Sequence, residues 1–206
     1  MTTGGDPSPR LTRKGLATRA RIVAAAAQLM FERGVAGTST EDVQTAAGVS
    51  SSQLYHYFDD KQHLVRAVIA HQTEAVLTAQ DPLLSRLDSI AALRAWRDLV
   101  VELQAARDCA GGCPIGSLAA ELAEIDEVAR GELVAGFARW EGAIRDGLTA
   151  MRDRGELRAD ADPARLATAT LAGLQGGLLL TQVRRETVPL EAALDMAITH
   201  IASFVV

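Results

Sequence analysis

The chain has 206 residues, of which 48% are hydrophobic, 23% charged and only 4% aromatic. This length accommodates one large domain or two modest ones, and the composition excludes wholesale disorder. The net charge of -5 is unevenly divided, because residues 1–66 hold eight Lys/Arg against six Asp/Glu whereas the remainder holds 13 against 20. A slightly basic first third joined to an acidic remainder is compatible with one part that faces a polyanion.

The sequence also argues against the exported and membrane classes. Cys109 and Cys113 are the only cysteines, too few for a secreted disulfide framework. The apolar run at residues 22–27 is too short for a signal peptide and has helical spacing. The run at residues 171–180 contains Gln175 and falls short of the roughly 20 residues that a membrane span needs. We therefore expect a cytoplasmic protein with reduced thiols and no membrane partner.

The first predicted element is a helix that follows a flexible tail at residues 1–14. It extends from about residue 15 to residue 33, because Ile22, Ala26 and Met30 recur on one helical face. Gly34 then supplies a C-terminal stop. Arg10, Arg13 and Lys14 in the tail either form an arm that reaches into a DNA minor groove or are simply disordered.

Two short helices joined by a glycine turn come next. Residues 39–42 and 50–53 each have the form of a capping box, in which a side-chain hydroxyl and an N3 side chain satisfy free amides at a helix start. Gly48 breaks the chain between these helices. Asp60 can cap a fourth helix that continues toward Leu77.

The rest of the chain predicts further helices and no convincing strand. A long helix is expected from about residue 125 to residue 154, with Gly155 as its stop. The other helix-start signals are Asp81-Pro82, Asp88-Ser89, Cys113-Pro114, Asp162-Pro163 and Val188-Pro189. The predicted fold class is therefore all-α, with about nine helices.

A pair of short helices with a tight turn can place the second helix in the DNA major groove, where residues near its N-terminus reach base edges. The small or apolar residues expected to pack the pair are Val43, Ala46, Ala47, Val49 and Leu54. The four ring-bearing residues 55–58 are consecutive, so on a helix they cannot all face one core. At least two of them must present polar groups outward.

This segment resembles a known signature. The residues VQTAAGVS at 43–50, followed by LYHYF at 54–58 and then Lys61, are similar to the DNA-binding signature of the TetR family of bacterial regulators. The resemblance covers about residues 15–66 and implies a three-helix helix-turn-helix DNA-binding domain there. It further implies a helical ligand-binding and dimerisation domain at residues 67–206. The function so implied is a repressor released from its operator by a small, mostly apolar effector, with no cofactor.

The resemblance and the position at a helix start together imply the residues that contact DNA. Gln53 can bond adenine bidentately, whereas Ser and Tyr hydroxyls discriminate less. The base-reading residues so implied are Ser51, Ser52, Gln53 and Tyr55. Contacts to phosphate fix the register on the duplex, and the residues implied for them are Thr40, Ser50, His56, Tyr57 and Lys61. Two positions depart from the family pattern. Gln44 stands where alanine is common. Ser51-Ser52 stand where lysine and glycine are frequent, so the resemblance does not imply the phosphate or base contact that relatives make at those two positions.

The family pattern also implies a homodimer on a pseudo-palindromic operator, formed by the last two long helices. The residues predicted for its interface are Leu166, Thr170, Leu174, Leu178, Leu194, Ile198 and Ile201, although an equally apolar stripe can belong to the core of one chain. The residues predicted to line an effector cavity are Trp96, Phe137, Trp140, Gln175 and Gln182, each of which can equally be plain core. Residues 112–118 resemble a segment of some TetR-like regulators and are expected to shape the edge of the cavity.

Three alternatives stay open. The first is a helix-turn-helix activator, or a regulator that responds to a protein partner without a small molecule. The second is a thiol-dependent enzyme or redox switch that uses Cys109 and Cys113, although no accompanying histidine motif is present. The third is a helical scaffold that binds only protein. The four histidines show no ligand spacing with the cysteines, so neither a metal site nor an enzyme is expected.

Overall fold

The structure is a computed structural model that describes residues 12–206. Within that span it contains nine α-helices and a single 3-10 turn, Leu84–Arg86, which confirms the predicted all-α class. The helices are α1 (Arg13–Arg33), α2 (Thr40–Ala47), α3 (Ser51–Tyr57), α4 (Lys61–Thr78), α5 (Ile90–Ala105), α6 (Pro114–Leu122), α7 (Glu127–Asp153), α8 (Pro163–Arg184) and α9 (Val188–Ala202). The chain forms two compact units that divide within α4, between Val68 and Ile69.

The first unit begins slightly earlier than the sequence predicts. Thr12 caps α1, since its hydroxyl oxygen accepts a hydrogen bond from the Gly15 amide at 3.2 Å. Arg13 and Lys14 therefore stand in the first helical turn rather than in an extended tail. Arg10 and the rest of the predicted tail lie outside the described residues.

Both predicted capping boxes are present in the first unit. Ser39 caps α2 with Asp42 as its N3 partner, and Ser50 caps α3 with Gln53 in the same role. The core of the unit holds Leu54 together with the apolar faces of the longer helices; its buried members include Ile22, Met30, Val43, Ala47, Phe58, Leu64 and Val68. Ala46 was predicted to pack the helix pair, but it is exposed, because it lies on the outer face of α2.

The second unit is built around three long helices, with α8 packed against both α7 and α9 and α5 packed against α9. Asp162 caps α8, because its carboxylate accepts the Ala164 and Arg165 amides at 3.1 and 3.2 Å. Arg97 of α5 binds Asp195 of α9 through two hydrogen bonds of 2.9 and 3.0 Å. The predicted helix starts at residues 89, 113 and 162 all serve as caps. The start predicted at Asp81-Pro82 is wrong, because these residues lie in the turn between α4 and the 3-10 turn.

The residues predicted for the dimer interface lie inside the chain. All seven (Leu166, Thr170, Leu174, Leu178, Leu194, Ile198 and Ile201) are at most 5% exposed. They form the core between α7, α8 and α9 and are not available as a surface. The most apolar stripe of each helix is buried first within its own chain, since that removes the largest apolar area from water.

Helix α8 also meets the length and composition of a membrane span, with a mean hydropathy of 1.2 over its most apolar window. Within the chain, 44% of that window is buried. Its buried stripe packs against α7 and α9, and one helix of this length and composition is weak evidence for a membrane span.

Candidate nucleic-acid interface and effector cavity

Helix α3 presents a polar tip above two apolar anchors. Leu54 and Phe58 are fully buried and fix the helix in the first unit. The side chains of Ser51, Ser52 and Gln53 are exposed, and Tyr55 is 47% exposed. All four residues predicted to read bases therefore lie on the accessible side of one short helix, as base contacts require.

The turn before α3 is fixed by backbone geometry. Gly48 has a φ of 61°, in the left-handed region that favours glycine. Its amide donates to the Thr45 carbonyl at 3.2 Å. The Arg21 side chain from α1 donates to the Ala47 carbonyl at 2.8 Å, which ties the end of α2 to α1. These contacts hold the angle at which α3 leaves the turn.

Gln53 is engaged at the start of α3. Its side-chain oxygen accepts the Ser50 amide at 3.0 Å, while the Ser50 hydroxyl accepts the Gln53 amide at 3.2 Å. The box satisfies amides at the helix start that would otherwise be free. A bidentate contact to adenine needs both the oxygen and the nitrogen of this amide, so it would use the same side chain that completes the box.

The residues predicted to contact phosphate differ in their availability. Ser50 and His56 are exposed, and Thr40 and Tyr57 are partly buried. Lys61 is partly buried as well, and its ammonium donates to the Val35 carbonyl at 2.6 Å. It therefore connects the start of α4 to the loop after α1. The Asp60 carboxylate lies at the start of α4, where it accepts a hydrogen bond from the His63 amide at 2.6 Å.

Other cations of the first unit are also engaged within it. Arg33 lies 3.9 Å from Asp42, and Arg19 lies over the ring of the buried Phe58 at 5.1 Å from its centroid. The hydrogen bond from the Ser39 hydroxyl, more than the charge of Arg33, lowers the pKa of Asp42 below its ordinary value. Arg19, Arg33 and Lys61 thus contribute to the fold of the unit as well as to its charge.

The second unit contains a cavity of about 450 Å³ between α6, α7 and α8. Its walls are mostly apolar, and they include three of the five predicted residues, namely Phe137, Gln175 and Gln182. Residues 113, 116 and 117 of the predicted edge segment line it as well. This volume lies within the range of small-molecule sites, roughly 300–1,000 Å³.

The two tryptophans lie elsewhere. Trp140 lines a second, smaller cavity of about 50 Å³, which shares Cys113 and Leu178 with the first. Trp96 does not line the larger cavity; it is fully buried, and its indole donates to the Gln80 side chain at 2.8 Å. Sequence analysis missed Gln80 and Gln104 of the smaller cavity. Gln104 had a usable signal, because it continues the buried stripe of α5 after Trp96 and Val100.

Both cysteines are free and buried. Cys113 caps α6, with its sulfur accepting the Gly116 amide at 3.4 Å. Burial raises the pKa of the Cys113 thiol, and the Gly116 amide opposes that effect. A raised pKa lowers the thiolate fraction and so makes this thiol less nucleophilic. Among residues 12–206, no three His, Cys, Asp or Glu side chains are arranged to hold a metal ion.

The first unit presents a short exposed helix that follows a glycine turn and packs on two supporting helices. A larger helical unit with a cavity follows in the chain. This arrangement defines the class of helix-turn-helix transcriptional regulators. The family comparisons agree. Residues 22–68 match the family described as "Bacterial regulatory proteins, tetR family", and residues 89–197 match "Tetracyclin repressor-like, C-terminal domain". The chain belongs to the TetR family and is a DNA-binding transcriptional regulator.

Relatives match over nearly the whole chain. An uncharacterized HTH-type transcriptional regulator of Lactococcus lactis is 32% identical over 87% of this chain and 90% of its own length. The HTH-type transcriptional repressor DhaR of Mycobacterium sp. (strain GP1) is 27% identical over 86% of this chain and 89% of its own. A TetR transcriptional regulator from Chloroflexus aurantiacus has a solved structure with a TM-score of 0.82 and 30% identity, covering 94% of this chain and 98% of that one.

Proposed function

We propose that the protein is a homodimeric repressor whose paired α3 tips read a pseudo-palindromic operator and whose effector cavity lies in the second unit. The observation that carries this proposal is the exposed tip of α3, where Ser51, Ser52, Gln53 and Tyr55 stand clear of the core that holds Leu54. The proposed sign of regulation follows DhaR, a relative whose name states that it is a repressor. The site of action is the cytoplasm, where the operator DNA is.

The homodimer is supported by a second apolar stripe on α8 and α9. Exposed residues of α8 recur at positions 172, 176, 179, 180 and 183, which share one helical face opposite the buried stripe. Leu179 is 60% exposed, Val183 72%, and Met196 on α9 71%. Large exposed apolar side chains at helical spacing mark a surface that a partner covers. The partner assigned here is a second copy of this chain, because one α3 tip reads too short a site for useful selectivity.

Release by an effector is supported by the cavity of about 450 Å³ in the second unit. Two α3 tips can bind one duplex only at the spacing of two successive half-sites, roughly 34–36 Å or a multiple of it. An effector that binds more tightly to a dimer with another spacing lowers the affinity for DNA by its differential affinity for the two states. Phe137, Gln175 and Gln182 are the wall residues that link this proposal to the sequence prediction.

Substitution of Lys61 by methionine tests the phosphate role. It should weaken binding to all duplexes and reduce the salt dependence of binding by about one counterion, since one phosphate contact is lost. Methionine retains the apolar stem, and the thermal midpoint of the variant reports the cost of losing the bond to Val35. Gln62→Met, at the exposed next position, is the control. An unchanged salt slope in Lys61→Met would refute the phosphate contact.

A further inference from the structure

The smaller cavity of the second unit contains a hydrogen-bond donor and an acceptor, and neither has a partner. Trp140 is 2% exposed and Gln104 is 7% exposed. Among the described residues, neither the Trp140 indole Nε1 nor the Gln104 side-chain Oε1 has a hydrogen-bond partner. Buried polar groups are nearly always satisfied, and an unsatisfied one costs stability. Two such groups of complementary kind on one cavity point to something that binds between them.

A neighbouring glutamine shows the contrast. Gln80 lines the same cavity, but its side-chain oxygen accepts from Trp96 at 2.8 Å and its nitrogen donates to the Val76 carbonyl at 2.9 Å. Gln80 therefore belongs to the fold of the unit. Gln104 and Trp140 line the same volume of about 50 Å³, and each has a buried polar atom without a partner among the described residues, an acceptor on Gln104 and a donor on Trp140. A water needs about 10–15 Å³ of such space, so this volume holds a few heavy atoms.

We propose that Trp140 and Gln104 bind the uncharged polar head of the effector, a primary carboxamide or a group that likewise both accepts and donates, while its apolar body occupies the larger cavity. This inference rests on the effector cavity proposed above and names the chemistry of its ligand. The two cavities share Cys113 and Leu178 as wall residues, which puts them side by side. The larger one offers Phe137 and Leu178 to an apolar body, and the Gln175 side-chain nitrogen on its wall is a further buried donor without a partner among the described residues.

The unpartnered Gln104 oxygen determines that the polar head of the effector is uncharged. A carboxylate can accept from the Trp140 indole, but it has no proton to donate to the Gln104 oxygen and would place two acceptors together. A ketone accepts but cannot donate. A primary amide satisfies both groups. Arg107 also lines the cavity and is exposed, so a preference for an anion through Arg107 is the competing outcome that the test must separate.

Three isosteric probes test the inference, namely hexanamide, heptan-2-one and hexanoate. The chain has two tryptophans, so the ¹H–¹⁵N spectrum of the purified protein shows two indole signals, which Trp96→Phe and Trp140→Phe assign. Hexanamide should shift the Trp140 signal and leave that of Trp96, which is bonded to Gln80, in place. Heptan-2-one and hexanoate should bind about tenfold or more weakly, since each leaves the Gln104 oxygen unsatisfied.

Substitution of Gln104 by leucine separates ligand binding from stability. It should lower the affinity for hexanamide about tenfold or more and abolish the preference for hexanamide over heptan-2-one, without lowering the thermal midpoint, because an unsatisfied buried acceptor is removed. Gln80→Leu, the control, should lower the midpoint by breaking the bonds to Trp96 and Val76. Gln104→Met provides a second variant of similar length should leucine prevent folding.

Equal affinity for hexanamide and heptan-2-one would overturn the inference, and so would tightest binding of hexanoate. A lowered thermal midpoint in both Gln104→Leu and Gln104→Met would also overturn it, because it would indicate that buried water satisfies Trp140 and Gln104. The Trp140 shift is measured without DNA. A shift with the stated preferences therefore supports the ligand chemistry even if hexanamide does not release the protein from its operator, a result that would count only against the proposed effector mechanism.

Discussion

Gln53 has a role in the cap of α3 that the structure shows and a proposed role in reading a base, and both use the same side-chain amide. In the free protein its oxygen accepts the Ser50 amide and completes the cap of α3. On DNA, bidentate contact with adenine requires that oxygen for the adenine amino group. The sequence predicted both roles from one residue type. In the free protein the Ser50 amide occupies one of the two lone pairs of this oxygen, so one acceptor position remains.

Two substitutions of Gln53 separate these roles. Gln53→Glu retains a capping-box acceptor at N3, so the thermal midpoint should stay near that of the unchanged protein, while the carboxylate can no longer donate to adenine. Gln53→Ala loses both roles and should cost roughly 1–3 kcal/mol of binding at one base pair. Affinities for a matched set of single-base operator variants provide the measurement. Uniform losses across the set would contradict base reading by Gln53.

At the residue scale, the sequence predicted the exposed tip of α3 better than the cavity. The exposure of Ser51, Ser52, Gln53 and Tyr55 was predictable because capping and exposure are local properties, set by residues 50–58 themselves. The cavity depends on which residues of α5, α6, α7 and α8 meet, which residue type alone does not determine. Trp96 and Trp140 are both buried tryptophans of the second unit, but the indole of Trp96 already donates a hydrogen bond to Gln80. Which hydrogen-bond partner a buried side chain finds depends on tertiary packing.

At the scale of elements, several helix starts were predictable from their caps, although the Thr12 cap of α1 was not. The start of α8 at Asp162-Pro163 and the two boxes of the first unit are examples. The sequence did not predict which apolar stripe of α8 faces inward. Its stripe through Leu166, Leu174 and Leu178 is buried, whereas the stripe through Leu179 and Val183 is exposed, and both have helical spacing.

Two glycines of α7 should respond in opposite directions to alanine. A Cβ at Gly147 would collide with the backbone carbonyl of Leu87, which cannot move without shifting the 3-10 turn. Gly147→Ala should therefore destabilise the protein by about 1–3 kcal/mol, as overpacking does. Gly131 has nothing within 4 Å of such a Cβ, so Gly131→Ala should stabilise the helix by about 0.5–1 kcal/mol. Chemical denaturation measures both, and an equal change would contradict the packing described.

The capping box of α2 should make stability depend on pH. The pKa of Asp42 is lowered in the folded state, mainly by the Ser39 hydroxyl. The ionised carboxylate therefore contributes fully to the free energy of unfolding above the ordinary carboxyl pKa. That contribution is lost as the pH falls through the lowered pKa of the folded state. Asp42→Asn should remove that part of the pH dependence of the unfolding free energy. Glu124→Gln, at an exposed carboxylate outside the capping box, is the control. An unchanged acid slope in Asp42→Asn would show that the box does not contribute.

At the scale of the whole molecule, charge and division into units agree with the function. The slightly basic first third contains the α3 tip, and the acidic remainder contains the cavity and the exposed stripe of α8 and α9. The sequence predicted the fold class and the family because the VQTAAGVS and LYHYF segments are local and specific. It could not select the surface for dimerisation, since burial inside one chain and burial between two chains require the same residue types.

The exposed stripe predicts a variant that separates dimerisation from folding. Val183→Glu places a charge on the stripe without touching the core, so the chain should fold, sediment as a monomer and bind operator DNA far more weakly. Ile125→Glu, at another highly exposed apolar residue outside α8 and α9, should leave the dimer intact. Sedimentation velocity with circular dichroism distinguishes the variants. A fully dimeric Val183→Glu protein would contradict the assigned interface.

The proposed dimer places two α3 tips on paired half-sites of one duplex. Selecting bound duplexes from a random pool with the purified protein, and sequencing them, tests this arrangement. We expect a twofold-symmetric motif whose half-site centres are separated by one helical turn or a multiple of it, roughly 34–36 Å per turn. A motif that is a single half-site without a symmetry mate, or a bound pool with no enriched sequence, would contradict it.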